Sequence, residues 1–458
     1  MAKSLHILMF PHFAMGHLTA FLHLANELAK RGHRISFLLP PKAISKLSHF
    51  NLHPHFIIFT PITVPCVDGL PVGAQITSDV PISQGTLIVT AMDRTKTEIE
   101  AKLIQLKPQF VFFDFAYWIP ELTRGLGIKS IHYSTISSAC LAYSLVPIRD
   151  EEYKNPKSQG NVMEQQPAGF PSSAVKLKKY EASRTHFFKQ LEFGEGITFH
   201  DRNMKSLRDC DAIAVKSCRE MEGGFCDYIQ RQFGKPVLLT GPGLPSEPTD
   251  SLEERWANWL NKFNKKSVVY VSFGSEYRLK RDQLEELLLG LELMGSPFLA
   301  ALKAPLGVDN VEDALPDGFQ ERVGERGVVY GEWVQQQLLL QHPSIGCFVT
   351  HCGSGSLSEA LVSRLQIVML PTAGDQFINA RLMGGDLKVG VEVERRDEDG
   401  WYTKENVCEA VKLVMDEKSE VGNEVRANHD KWRAFLLSEG LQTSYIEGFI
   451  KSMVDMLG

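Results

Sequence analysis

The sequence predicts an α/β protein built as two Rossmann-like domains that face each other across a cleft. Three observations lead there. At 458 residues the chain is too long for one ordinary core and fits two domains of roughly 200 residues each. Strand-like apolar runs alternate with helix-like amphipathic stretches, the pattern of parallel sheets with crossover helices. Near the middle the alternation is broken by Thr240-Gly-Pro-Gly-Leu-Pro-Ser-Glu-Pro-Thr249, whose Pro and Gly content suits a connection between domains.

Taken in order, Leu5–Phe10 reads as a buried strand. A Gly-containing loop follows, then a helix over Thr19–Lys30 whose Phe21, Leu22, Leu24, Ala25 and Leu28 form one apolar face. Gly32 ends it and Arg34–Leu39 is the next strand, which completes a βαβ opening. Phe110–Phe113, Lys129–Tyr133 and Ala212–Lys216 are further strands; the Pro-, Lys- and aromatic-rich stretch Leu145–Gln190 is expected to form loops and irregular helices over a cleft. A second series begins with strand Ser267–Ser272, helix Arg281–Met294 and strand Pro297–Leu302. It continues through strand Gly327–Tyr330, helix Gln335–Gln341, strand Gly346–Thr350, helix Ser356–Ser363, strand Gln366–Leu370 and helix Gln376–Met383. The tail Tyr445–Leu457 is an amphipathic helix. The boundaries this gives are 1–240 for the first domain, 241–252 for the linker, 253–440 for the second domain and 441–458 for a helix expected to pack back on the first.

A net charge of −6 gives no electrostatic reason to expect nucleic acid or an anionic membrane as partner. The eight cysteines are scattered with no CxxC pair, which reads as reduced thiols in the cytoplasm. No apolar run approaches the roughly 20 residues of a spanning helix, so no membrane insertion is expected.

The densest chemistry lies between Trp333 and Gln376. Strand Gly346–Thr350 runs into His351-Cys-Gly-Ser-Gly-Ser-Leu-Ser-Glu359 and a helix. Glycines at a strand's end let backbone N–H groups approach an anion, and the helix N-terminus adds a favourable field, so the turn can cradle a diphosphate. Gly353-x-Gly355-x-x-Ser358 alone also fits a degenerate dinucleotide fingerprint or an ordinary turn. Around it, Trp333 offers an indole face for a base, Glu359 a carboxylate for ribose hydroxyls, and Asp375-Gln376 the carboxylate and amide that polyols favour. Each has a plain alternative: Trp333 as core, Glu359 as a solvated helix residue, Asp375 as a helix N-cap. In the first domain, His17 follows Gly16 after the first parallel strand, where ligands bind in open α/β sheets, and Asp114 ends another strand of the same sheet. A histidine base suits a weak hydroxyl nucleophile, and a carboxylate on its other nitrogen stabilises the imidazolium. The alternatives are a helix-start residue for His17 and an N-cap for Asp114.

Trp333-Val-Gln-Gln336, His351-Cys-Gly353, Ser356, Glu359, Pro371 and Asp375-Gln376 together resemble the 44-residue signature of plant family 1 UDP-glycosyltransferases, which Trp333 to Gln376 spans without a gap. Phe10-Pro11 with Gly16-His17, Asp114, Gly241-Pro-Gly-Leu-Pro245 and Val271-Ser-Phe-Gly-Ser275 extend the likeness along the chain. The resemblance implies the GT-B fold, with donor mostly in the second domain and acceptor mostly in the first. It implies Trp333 stacking on uracil, the Val334 backbone on its edge, and Gln336 and Glu359 on the ribose. It places His351, Ser356 and Ser275 around the diphosphate and Asp375 and Gln376 on the sugar, while the backbone N–H groups at Gly353 and Gly355 are free to approach the same anion. His17 and Asp114 match the family's catalytic pair, which ranks His12 and His351 below His17 as base.

The chain departs from the family at Gln335, where Pro is usual, and at Ser354-Gly355, where Trp-Asn is usual. These replacements resemble the branch that adds a sugar to an existing glycoside of flavonoids or anthocyanins, as do Phe13-Ala-Met-Gly-His17, Asp68-Gly-Leu-Pro-Val-Gly-Ala74 and Phe113-Asp-Phe-Ala-Tyr-Trp118. The expected activity is therefore an inverting hexosyl or pentosyl transfer from a UDP-sugar to a small glycoside, with an aglycone as the alternative acceptor. No cofactor or metal is expected, and a monomer is expected. Asp209-Cys-Asp211 and Asp397-Glu-Asp399 read as solvated loops rather than metal sites. Three rivals remain. A nucleotide-sugar epimerase needs no large apolar cleft, a dinucleotide oxidoreductase predicts NAD(P) binding, and a non-catalytic UDP-sugar binder predicts no UDP release.

Overall fold

In the computed structural model, which describes residues 4–154, 162–245, 247–248, 250–274 and 277–458, the long apolar runs become parallel strands buried on both faces. The first half holds β1 (His6–Phe10), β2 (Arg34–Leu39), β3 (Ile57–Pro61), β4 (Phe110–Phe113), β5 (Lys129–Ser134), β6 (Ala212–Val215) and β7 (Val237–Leu239). They pair in the order β3-β2-β1-β4-β5-β6-β7. The second half holds β8 (Val268–Ser272), β9 (Phe298–Ala301), β10 (Gly327–Tyr330), β11 (Ile345–Thr350), β12 (Gln366–Met369) and β13 (Gly390–Glu392), ordered β10-β9-β8-β11-β12-β13.

Both orders reverse direction once, between β1 and β4 in the first sheet and between β8 and β11 in the second. At such a point two crossovers leave on opposite faces, and a crevice opens beyond the strand ends. β4 shows why the flanking strands are rigid. Its Phe110, Val111, Phe112 and Phe113 are all fully buried, and each such side chain contributes roughly 1.5–3 kcal/mol.

The ten strands read from the sequence are all present, with ends that move by a residue or so. The three not foreseen, β3, β7 and β13, are edge strands. One correction bears on the site. The first helix runs over Met15–Ala29 rather than from Thr19, so His17 lies in its first turn and not in the preceding loop. Likewise the helix after β11 begins at Ser354 rather than Ser356, and the helix at Gln376 ends at Arg381 and passes into a wider turn over Leu382–Asp386.

The halves are tied together at several points. The helix Leu441–Asp455 returns to the first sheet, with Phe449 against Phe112 at 6.0 Å between ring centres, and Gln442 donates to the Thr240 carbonyl at 2.9 Å. The helix Lys179–Gln190 reaches the other way. Its buried Glu181 accepts from Arg395 at 2.7 Å and from Arg381 at 3.0 Å, and Tyr180 packs edge-on against Phe377. Among the described residues no helix is long and apolar enough to cross a membrane.

Candidate active site

The chain leaves β1 at Phe10, and Ala14 in extended conformation starts the helix that carries His17. Asp114 follows β4 on the other side of the reversal point. The two meet: His17 Nδ1 and Asp114 Oδ2 are 2.7 Å apart. Since a carboxylate only accepts, Nδ1 carries the proton and Nε2 is left as the basic nitrogen. The second carboxylate oxygen accepts the backbone N–H groups of His12 at 2.8 Å and Phe115 at 2.6 Å, so the Asp114 side chain serves the loop and the ring and caps no helix. Burial pushes the Asp114 carboxyl up. The attraction and hydrogen bond of His17, with His12 and the Phe115 N–H, outweigh it and hold the group below its ordinary range. Thr135 Oγ1 lies 3.2 Å from the same Nδ1. The ring of the competing His12 makes no hydrogen bond with Asp114; only its backbone N–H does. Its ring stands edge-on to His17 at 5.1 Å, and burial presses it down to about 3, so it is neutral and carries no proton away.

His17 and Asp114 open onto a cavity of about 950 Å³ between the halves, at the upper end of small-ligand pockets. Its far wall is aromatic: Phe115 packs on Phe193 and Phe199 at 5.5 and 5.7 Å, and Phe188 on Phe199 at 4.7 Å. Asp375 and Gln376 close it from the second half. Gln376 Oε1 accepts from the Thr372 N–H, the Thr372 hydroxyl and the Ala373 N–H at 2.8–3.1 Å, which fixes the amide plane and leaves its NH2 as the outward donor. Asp375 occupies the N-cap position but its side chain does not cap. It accepts from Asn379 Nδ2 at 3.0 Å, and burial raises its pKa.

The remaining predicted residues gather on the second sheet. Trp333, just beyond β10, is 72% exposed, so the core reading of it fails, while Val334 beside it is buried. Gln336 Nε2 donates to Glu359 at 2.7 Å and to the Ser356 hydroxyl at 3.2 Å, and its Oε1 accepts from Tyr270. Glu359 is therefore no solvated helix residue; burial raises its pKa, and Lys216, at the end of β6 in the first half, lies close enough to pull the other way. Gln335, where the family has Pro, ties down the chain before the second half: it accepts from the Glu253 N–H at 2.6 Å and donates to the Ser251 carbonyl at 3.0 Å.

His351 follows β11 and is clamped by glycines. A Cβ on Gly353 would sit 2.7 Å from its Nε2, and one on Gly274, whose φ is +75°, would sit 3.1 Å from the ring. Burial pushes this ring down to about 4; a hydrogen bond with the Ser272 backbone does not offset it. Gly355, in the first turn of the helix Ser354–Val362, faces open space. The Ser275 position lies outside the described residues. Asp211 bonds Ser130 at 2.8 Å and Asp399 bonds Arg396 at 3.0 Å. No group of three or more His, Cys, Asp or Glu able to hold a metal occurs among the described residues.

Residues 225–430 match the family model described as UDP-glucoronosyl and UDP-glucosyl transferase. The chain is 53% identical to a cyanidin 3-O-galactoside 2''-O-xylosyltransferase of Actinidia chinensis over the full length of both chains. It is 52% identical to an anthocyanidin 3-O-glucoside 2''-O-glucosyltransferase of Ipomoea nil, covering 100% of this chain and 99% of the other. The chain belongs to the plant UDP-glycosyltransferases. As a UDP-glycosyltransferase it is an enzyme that transfers a sugar, and its two Rossmann-like halves are the GT-B fold. A crystal structure of a UDP-glucose:anthocyanidin 3-O-glucosyltransferase in complex with UDP superposes with a TM-score of 0.75 at 25% identity, covering 99% of each chain.

Sequence reasoning missed Asn379, Ser137, Thr135 and Lys216. Asn379 was the most accessible of them, one helical turn after Asp375 and so on the same face; the others come from loops whose approach only the packed halves define.

Proposed function

We propose that this UDP-glycosyltransferase moves a sugar from UDP onto a sugar hydroxyl of a flavonoid- or anthocyanidin-type glycoside, with inversion and without a metal. One observation carries the reading: the His17–Asp114 pair and the Asp375–Gln376 pair, from opposite halves, line one cavity. Its aromatic wall suits a planar aglycone, leaving the attached sugar toward His17. Relatives that act on the 2'' position of anthocyanidin 3-O-glycosides support the same acceptor class.

In this mechanism His17 Nε2 takes the acceptor hydroxyl's proton as its oxygen attacks the anomeric carbon. The bond from that carbon to the β-phosphate oxygen breaks on the opposite side, so the configuration inverts and UDP departs. Asp114 stabilises the imidazolium. The charge gathering on UDP meets His351, the backbone N–H groups of Gly353 and Gly355, Ser356 and the Ser275 loop at a helix N-terminus. Trp333 stacks on uracil, Val334 bonds its edge, Gln336 and Glu359 hold the ribose, and Asp375 and Gln376 hold the donor sugar. The test is a panel of UDP-sugars against flavonoid aglycones and their 3-O-monoglycosides, read by mass spectrometry. Products from the monoglycosides alone are expected; equal transfer to aglycones would overturn the acceptor assignment.

A further inference from the structure

Asn379 is 2% exposed, and three parts of the molecule converge on its amide. Nδ2 donates to Asp375 Oδ2 at 3.0 Å and to the Cys352 carbonyl at 3.1 Å. Oδ1 accepts from the Ser137 hydroxyl at 2.7 Å. Each contact has a distinct address. Asp375 faces the cavity. Cys352 sits in the turn between His351 and Gly353 with φ +69°, a left-handed conformation that a non-glycine residue holds only when its surroundings impose it. Its N–H goes to Thr350 Oγ1 at 3.2 Å and its carbonyl to Asn379, so the amide fixes one side of that turn. Ser137 belongs to the other half, where it caps the helix Ser138–Ser144 two residues after Thr135, the neighbour of His17.

We infer that Asn379 is a positioning residue that sets the Asp375 carboxylate and the diphosphate turn in register with the half carrying His17, through the bridge to Ser137. The inference rests on the reading of Asp375 as a donor-sugar contact. The geometry selects an amide. Two donors and an acceptor in one fixed plane are needed; a carboxylate supplies no donors, and an apolar isostere removes all three bonds, including the one to the buried Cys352 carbonyl. Misplacement of a reacting centre by a fraction of an ångström costs rate rather than binding, so the expected signature is in kcat.

The test uses the full chain carrying Asn379→Asp, Ser137→Ala or Asp375→Asn, assayed with its best UDP-sugar and a flavonoid 3-O-glucoside from pH 5.5 to 8, with UDP affinity by calorimetry. Asn379→Asp places two carboxyls within hydrogen-bond reach, so they share a proton and the pair regains a donor as pH falls. The ionisable groups facing Asp375 are His17, Cys140 and Cys352; burial raises both thiols, and His17 is common to all variants. The Asn379→Asp rate relative to the parent is therefore expected to be lowest at pH 8 and to recover about tenfold by pH 5.5. Ser137→Ala should lower kcat about 3–10-fold with the donor KM within about twofold. A flat Asn379→Asp ratio near one overturns the inference. Where Asn379→Asp fails to fold, as shown by loss of UDP-induced stabilisation, an unchanged kcat in Ser137→Ala overturns it. If Asp375→Asn loses transfer while the other two variants keep it, only the inference fails; if Asp375→Asn itself is unchanged, the sugar reading of Asp375 falls and takes the inference with it.

Discussion

His17 and His351 both come off the C-terminal edge of an inner parallel strand, each in one half of the same cleft, and their surroundings differ in kind. His17 has a buried carboxylate on Nδ1, and its side chain keeps 23% of its surface open, on the large cavity. Among the described residues His351 has no carboxylate partner; glycines press close to it, and burial drives it down to about 4. A ring that must accept a proton needs a counter-charge for the cation it becomes. A ring that must present a hydrogen bond to a diphosphate is better kept neutral and rigid. In the proposed mechanism the two halves would use one residue type for opposite ends of one displacement, with the neighbours setting which role each ring takes.

The largest expected effect tests the first ring. His17→Ala should lower transfer by roughly 10²–10⁴-fold, and Asp114→Asn by about 10²-fold or more, with UDP affinity in both within about twofold of the parent. The measurements are initial rates at saturating substrates and calorimetric UDP binding. Collapse of UDP binding together with retained transfer would reverse the roles of the two histidines.

How far this contrast was legible beforehand follows from burial. Strands such as β4 and β11 announce themselves because a strand covered on both faces must be continuously apolar. β3, β7 and β13 pair on one side only, and in β3 the exposed Ile58 and Pro61 break the run, so no periodicity marks it. The meeting of His17 with Asp114 was readable in part, as residues at the ends of two strands of one sheet that match the family's pair; the reversal point between β1 and β4 that brings them together was not. The clamping of His351 was not, because it depends on Gly274 from another strand. Asn379 escaped notice because its hydrogen bonds reach Cys352 and Ser137, 27 and 242 residues away in the chain.

The middle prediction sharpens the contrast from the donor side. In Gly353→Ala the new Cβ would lie 2.7 Å from His351 Nε2, closer than real contacts allow, so the ring or the turn has to move. UDP affinity should fall about tenfold, the loss of about one charge-assisted hydrogen bond, while the pH profile of transfer keeps its shape. A shifted profile with intact UDP affinity would show that the halves are not divided in this way.

The smallest effect concerns the charge on His351 itself. With its pKa pushed down to about 4, about one ring in 10³ is protonated at pH 7. The sign follows from linkage. UDP is an anion and binds the protonated ring better, so the ring's charge, as distinct from its neutral hydrogen bond, adds affinity only as pH falls through the pKa of the ring beside bound UDP, which starts from that low value rather than from the ordinary histidine range. His351→Gln keeps a neutral hydrogen-bonding side chain, and the UDP phosphate ionises in both proteins alike. The ratio of UDP affinities, parent to His351→Gln, should therefore stay within about threefold and flat from pH 8 to 6, rising only below about pH 5. A ratio that climbs already between pH 8 and 6 would mean that burial does not hold the His351 ring neutral.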